Sequence, residues 1–220
     1  MDKSFNLFYF IFLSKATLTN YWPMSNLSDV VSNRDLYNGV NFTYTYDRFG
    51  NPNQAIYLNN GYLQIPFGVY FSGDFTVSVW LYWNAYRFWS RIFEFGNGQE
   101  IDNVGLVFLE NTPELYGAVI QDSAYSTIQT SGINIQLNQW YHVAFTLKEA
   151  TATIYINGIK ATSGALFVPK NIVRSFNFIG KSTWSVRNPK AVIDDLKIYN
   201  GAMSEIEILN DFKSTSSSKF

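Results

Sequence analysis

The sequence predicts an all-β fold: a two-sheet antiparallel jelly-roll sandwich with one short C-terminal helix. Three observations predict it. Aromatic residues make up 18% of the 220 residues, with 19 Phe, 15 Tyr and 6 Trp, and such residues favour pleated, half-buried strands. Roughly a dozen short segments of strand character are separated by turn residues at the spacing of a sandwich. Helix signals are confined to the segment from Ser204 to Phe212.

At the N-terminus, Phe5 to Leu13 form an apolar run flanked by Lys3, Ser14 and Ala16. Roughly nine residues cannot span a bilayer, which needs about 20. They match the apolar core of a secretion signal, with Ser14 and Ala16 at small-residue cleavage positions. A buried first strand is the competing reading. Residues 1–16 are thus set apart as a leading segment, and 17–212 as the domain. Residues 213–220, with Ser214, Thr215, Ser216, Ser217 and Ser218, have linker composition and suggest a tether within a larger multidomain protein.

Within the domain, Phe75, Val77, Val79 and Leu81 alternate with Thr76, Ser78, Trp80 and Tyr82. The first set reads as a core face and the second as the opposite face. Further strands are expected at 54–58, 61–65, 91–95, 104–109, 115–121 and 140–147. Asn157-Gly158 joins strands at 151–156 and 159–162, because both residues tolerate the positive φ of a tight hairpin turn. Segments 176–179 and 191–199 complete the set.

In the last strand, Val192, Leu196 and Ile198 share a parity that would aim Asp194 at the core and Ile193 at solvent. An extra residue at Asp194-Asp195 resolves the conflict, so a β-bulge is expected there. Two adjacent carboxylates at a bulge require a partner, either a cation or backbone amides. Beyond it, Ser204 and Glu207 have capping-box spacing. Ile206, Leu209 and Phe212 follow as an apolar stripe, so this helix should close over the core.

The charge balance excludes several partners. The chain has 16 basic and 17 acidic residues, a net charge of −1 and a pI near 5.8, without the basic excess of a nucleic-acid or acidic-membrane surface. It has no cysteine, which excludes disulfides, thiol nucleophiles and Cys-bound zinc. A single histidine, His142, excludes two- and three-histidine metal sites within the chain.

Several motifs in order resemble a known family. Tyr62-Leu63-Gln64-Ile65-Pro66 and Asp74-Phe75-Thr76-Val77-Ser78-Val79-Trp80 are similar to the opening strands of laminin G-like, concanavalin A-like jelly-roll domains. Trp140-Tyr141-His142-Val143-Ala144 with Tyr155-Ile156-Asn157-Gly158 resembles the family's central pair. Phe178-Ile179-Gly180-Lys181, then Ile193-Asp194-Asp195-Leu196-Lys197-Ile198-Tyr199 and Ala202-Met203-Ser204, resembles its closing signature. The resemblance implies two curved antiparallel sheets in an extracellular module that binds glycan or protein. It also implies a calcium ion, with Asp194 as candidate ligand. Asp29, Asp35 and Asn38 are further oxygen donors in a polar stretch. The family includes lectins, adhesion modules and glycosidases, so the fold alone does not fix the activity.

Catalytic signatures fail individually. Glu100-Ile101-Asp102 resembles half of a retaining glycosidase motif, but Val104 and Gly105 stand where the second acid must be. Gly180-Lys181-Ser182 lacks the preceding glycine of a phosphate loop, with Ser175 in its place. No strained serine elbow accompanies His142. The expected function is therefore non-catalytic, lectin-like recognition or adhesion outside the cell, with a sugar-free protein-interaction module as the alternative and a glycoside hydrolase as the less favoured third. Trp80, Tyr82, Trp140 and His142 are the candidate ligand residues, since aromatics with polar tips suit sugar stacking. Asn26-Leu27-Ser28 and Asn41-Phe42-Thr43 match the glycosylation acceptor pattern.

Overall fold

A computed structural model describes residues 15–87, 89–109 and 113–214. The apolar run of the candidate secretion signal and the serine-rich tail from residue 215 lie outside the described residues. Thirteen strands and one helix follow in order: β1 (Thr17–Trp22), β2 (Tyr37–Thr45), β3 (Ala55–Ile65), β4 (Phe75–Ala85), β5 (Ser90–Gly96), β6 (Val104–Leu109), β7 (Glu114–Gln121), β8 (Ala124–Gln129), β9 (Trp140–Lys148), β10 (Thr151–Ile156), β11 (Ile159–Ala165), β12 (Phe176–Ile179), β13 (Lys190–Asn200) and α1 (Glu205–Lys213). All named strand pairs are antiparallel.

The first sheet runs β11–β10–β9–β4–β13, with β1 and the start of β3 beside β13. The second runs from the end of β3 through β12–β5–β6–β7–β8. Strand β3 belongs to both. It pairs with β13 through Ile56 to Asn59 and with β12 through Leu63 to Ile65. The bend between them falls at Asn60, whose φ is +54°, and at Gly61. A Cβ on Gly61 would lie 2.2 Å from the Asn41 carbonyl oxygen, so no larger residue fits. The sequence reading of two strands at 54–58 and 61–65 thus becomes one bent strand. At the other edge, β8 lies beside β11 and closes the sandwich.

Strand parity builds the core. Phe75, Val77, Val79, Leu81 and Trp83 of β4 and Val143, Phe145 and Leu147 of β9 face Phe93, Phe95, Leu106 and Phe108 of the second sheet. Edge-on contacts link Phe145 to Phe75, Phe75 to Phe71 and Phe71 to Phe95, with centroids 5.4, 4.8 and 5.1 Å apart. These geometries suit aromatic quadrupoles. Phe71, Phe75, Phe93, Phe95, Phe108 and Phe145 are thus core mass.

Helix α1 packs on the outer face of the first sheet. Ser204 accepts from the Glu207 amide, and the Glu207 carboxylate accepts from the Ser204 amide at 2.8 Å. This is the expected capping box. The buried stripe differs from the expected one. Ile208 is fully buried against Ala144 and Tyr155, whereas Ile206 is 62% exposed. The docked face is rotated to Ile208, Asp211 and Phe212, which recur at three and four residues and so share one side of a helix.

Candidate functional site

The four aromatic and histidine positions singled out from the sequence share the outer face of the first sheet. Trp80 pairs with His142 and Tyr82 with Trp140 across β4 and β9. Helix α1 divides them. The Phe212 ring stacks on Trp80 at 5.6 Å, and the Arg48 guanidinium lies 4.6 Å from the same indole. His142 is 1% exposed, and its Nε2 lies 3.0 Å from Asp211 Oδ2. The same carboxylate accepts from Ser78 Oγ at 2.7 Å and Lys197 Nζ at 2.5 Å. Burial pushes the Asp211 carboxyl up, but the His142 hydrogen bond and the Lys197 charge outweigh it and hold the group well below the usual carboxylate range. Trp80 and His142 are thus helix-docking residues, which corrects their expected ligand role. Parity identified the face but not what covers it. Tyr82 and Trp140 lie outside the helix and line an open depression.

Asp194 stands at the expected bulge. The β13–β4 register shifts between Asp194 and Lys197, and Asp195 has φ +49°. The partner is a cation, as the bulge required, but it is a side chain rather than calcium. Arg48 Nη1 lies 2.7 Å from Asp194 Oδ2 and 2.7 Å from Asp195 Oδ2, and the Tyr21 hydroxyl donates to Asp195 Oδ1 at 2.5 Å. A guanidinium occupies the position a cation would take, so these oxygens do not fit calcium. Asp29 does not fit either. Its carboxylate accepts from the backbone of Tyr21, Val31 and Ser32, and from the Asn20 and Ser32 side chains. Burial raises the Asp29 carboxyl, yet these bonds bring it below its ordinary value. Among the described residues, no group of three or more acidic or histidine side chains could hold a metal.

A groove that the sequence reading did not find lies on the outer face of the second sheet, with a volume of about 280 Å³. Three transverse rows form its base. Glu94, Gly105 and Ala118 are register partners in one row. Arg91, Val107 and Tyr116 form the next, and Ile120 pairs with Tyr125 in the third. The small side chains of Gly105 and Ala118 keep the middle low, while Tyr116, Tyr125, Trp89 and Trp184 line the groove around it. Trp89 meets Tyr116 edge-on at 5.3 Å, and the Arg91 guanidinium lies 5.2 Å from the Trp184 ring.

Glu94 holds this arrangement together. It is 1% exposed and accepts from Arg91 Nε at 2.7 Å, Ser182 Oγ at 3.0 Å, and the Thr183 amide and hydroxyl at 2.8 Å each. The loop carrying Trp184 is thereby fastened to β5. At the far end, Asn103 Nδ2 donates to the Gly98 carbonyl at 3.0 Å, and Asn103 Oδ1 is buried without a protein donor. The Tyr125 hydroxyl donates to Glu100 at 2.7 Å, and that bond pushes its pKa up to about 12. Glu100 and Asp102 have φ of +61° and +53° in the β5–β6 turn, so they do not share a strand face as a glycosidase pair would. The sequence signal for the groove was the pairing of small residues, Gly105 and Ala118, at outward parity beside Tyr116. Trp184 comes from a distant loop and left no such trace.

The family model of the concanavalin A-like lectin/glucanases superfamily matches residues 58–209. The chain belongs to that superfamily. No curated protein sequence matches it. Among solved structures, domain 4 of AbnA, a GH43 extracellular arabinanase from Geobacillus stearothermophilus in complex with arabinotriose, has a TM-score of 0.70 at 22% identity. That match covers 91% of this chain and 100% of that one. The binding domain of Paraclostridial Mosquitocidal Protein 1 has a TM-score of 0.65 at 18% identity, covering 89% of this chain and 52% of that one. The binding domain of botulinum neurotoxin DC in complex with rat synaptotagmin II scores 0.65 at 14% identity, covering 89% and 51%. The chain thus spans about half of the toxin binding domains, and at these identities the likeness is one of fold. Among the described residues, no helix is long and apolar enough to cross a membrane.

Proposed function

We propose that the chain is a non-catalytic, lectin-like recognition module of a secreted protein, binding a neutral glycan in the groove on the second sheet. The observation that carries this reading is the low, apolar base between Tyr116, Tyr125, Trp89 and Trp184, because aromatic faces stack on sugar rings while their polar tips hydrogen-bond. Arg91 is offset by Glu94, so an acidic sugar would find no uncompensated cation there. The arabinotriose held by domain 4 of AbnA supports a short neutral oligosaccharide as ligand. Secretion and a place within a larger protein are in keeping with the extracellular arabinanase and toxin domains of the same fold.

Non-catalysis rests on the carboxylates. Glu94 has both oxygens engaged by hydrogen bonds, and Glu100 is tied to Tyr125. Neither is placed as the free partner that paired-carboxylate hydrolysis needs.

Calorimetric titration of wild type and Trp184→Ala with arabinotriose, xylohexaose and cellohexaose tests the reading. Loss of one stacking face should weaken binding roughly tenfold, equivalent to about 1.4 kcal/mol. Equal affinities for wild type and variant, or product release from any of these sugars, would overturn it.

A further inference from the structure

A second aromatic surface lies on the outer face of the first sheet, away from the groove. Trp140 on β9, Tyr82 on β4, Val192 on β13 and Tyr57 on β3 are register partners in succession. They form one transverse row about 14 Å long, three inter-strand spacings. The Trp140 and Tyr82 rings lie 5.5 Å apart. Tyr46, 64% exposed, and Asn84 join them around an open depression of about 400 Å³. Asp47 is the one charged residue among its described lining residues, and its carboxylate accepts from the Phe49 and Asn51 amides and the Asn51 side chain.

The chemistry of this surface is specific. Without a lining cation it has nothing to attract an anionic ligand. Its flat rings carry polar tips, which suits a ligand apolar on one face and rich in hydroxyls around its edge. Helix α1 stops short of the row, covering Trp80 and His142 but leaving Tyr82 and Trp140 half-buried. We propose that the row is a second, independent saccharide site, taking a neutral chain of two or more sugar rings laid across the strands. It shares no lining residue with the groove. One domain then presents a sugar site on each side of the sandwich, and two sites on one body raise the avidity for a polymeric glycan.

Blocking the groove separates the two sites. A Cβ on Gly105 meets only the Phe93 carbonyl, at 3.4 Å, so Gly105→Leu fills the groove from its base with little backbone strain. In that background, amide NMR spectra are followed during titration with arabinotriose, xylohexaose, cellohexaose and mannohexaose. At least one sugar should shift the amides of Tyr57, Tyr82 and Trp140. Trp140→Ala should then weaken that binding at least tenfold, and Tyr46→Ala, on an exposed side chain, severalfold. The proposal is overturned if Gly105→Leu keeps a native spectrum but none of the sugars moves the row. It is also overturned if a proline-rich peptide moves the row and sugars do not. Retained binding in Gly105→Leu at wild-type affinity, abolished by Trp140→Ala, would support the row while removing the groove reading.

Discussion

Asp211 receives His142, Ser78 and Lys197 at once. Because its carboxyl is held below the usual range, its contribution is complete above the unfolded pKa of about 4 and is lost as pH falls toward the folded value. Asp211→Asn should therefore cost about 1–3 kcal/mol at pH 7. The gap between wild type and variant should narrow steadily in denaturant melts below pH 4; a gap independent of pH would refute this account. Arg48 carries a larger stake, since its guanidinium bridges Asp194 and Asp195. Arg48→Met leaves two adjacent buried carboxylates without it, and urea melts should show a loss of about 3–5 kcal/mol. An unchanged midpoint would mean that the pair is neutralised by other groups. The demand for a partner at Asp194 was legible from the parity conflict between Ile193 and Leu196. The partner was not, because Arg48 is distant in sequence and no local pattern links the two.

Elements were legible where apolar residues alternate along the sequence or a turn signal marks their ends. The alternation in β4 and the Asn157-Gly158 turn place their strands with little error. Strands β1, β2 and β8 escaped the sequence reading. β2 is exposed along most of its length and passes through positive φ at Asn38 and Asn41, so no period-two apolar pattern survives. β8 buries only Ile128, and an edge strand with one anchor reads as loop. The helix was found through its cap, although its buried face was misassigned by choosing Ile206 over Ile208. Ser204→Ala removes the side-chain acceptor for the Glu207 amide and should cost about 1 kcal/mol. The expected readout is a lower melting temperature with unchanged strand signal in circular dichroism; an unchanged melt would show that the docked face of Ile208, Asp211 and Phe212 holds the helix without its cap.

For the whole molecule, the family resemblance carried the fold correctly. Sequence parity locates faces, yet a groove depends on which loops rise beside a sheet, as Trp184 does over β5. Calcium was the other expectation carried by resemblance, and Arg48 stands where that ion would neutralise Asp194. Chelation should accordingly leave both the melting temperature and sugar affinity of the chain unchanged. A drop in either on adding EDTA, restored by calcium, would contradict the arginine assignment.

The position of β13 bears on how the chain reaches this structure at all. It lies inside the first sheet, against β4 along its length, β3 at its start and β1 at its end. The last strand made is thus a central one. During synthesis, β3, β4 and β1 must wait with open edges until β13 (Lys190–Asn200) has been made, because the seam they share has no occupant before then. Such closure is slow, since about a hundred residues must be looped between β4 and β13 before their contacts form. A waiting edge on an apolar strand such as β4, with Phe75, Val77, Val79 and Leu81, also invites pairing with neighbouring chains. Closure of the first sheet therefore waits on β13, and the edges of β3 and β4 that it pairs with stay open until it is made.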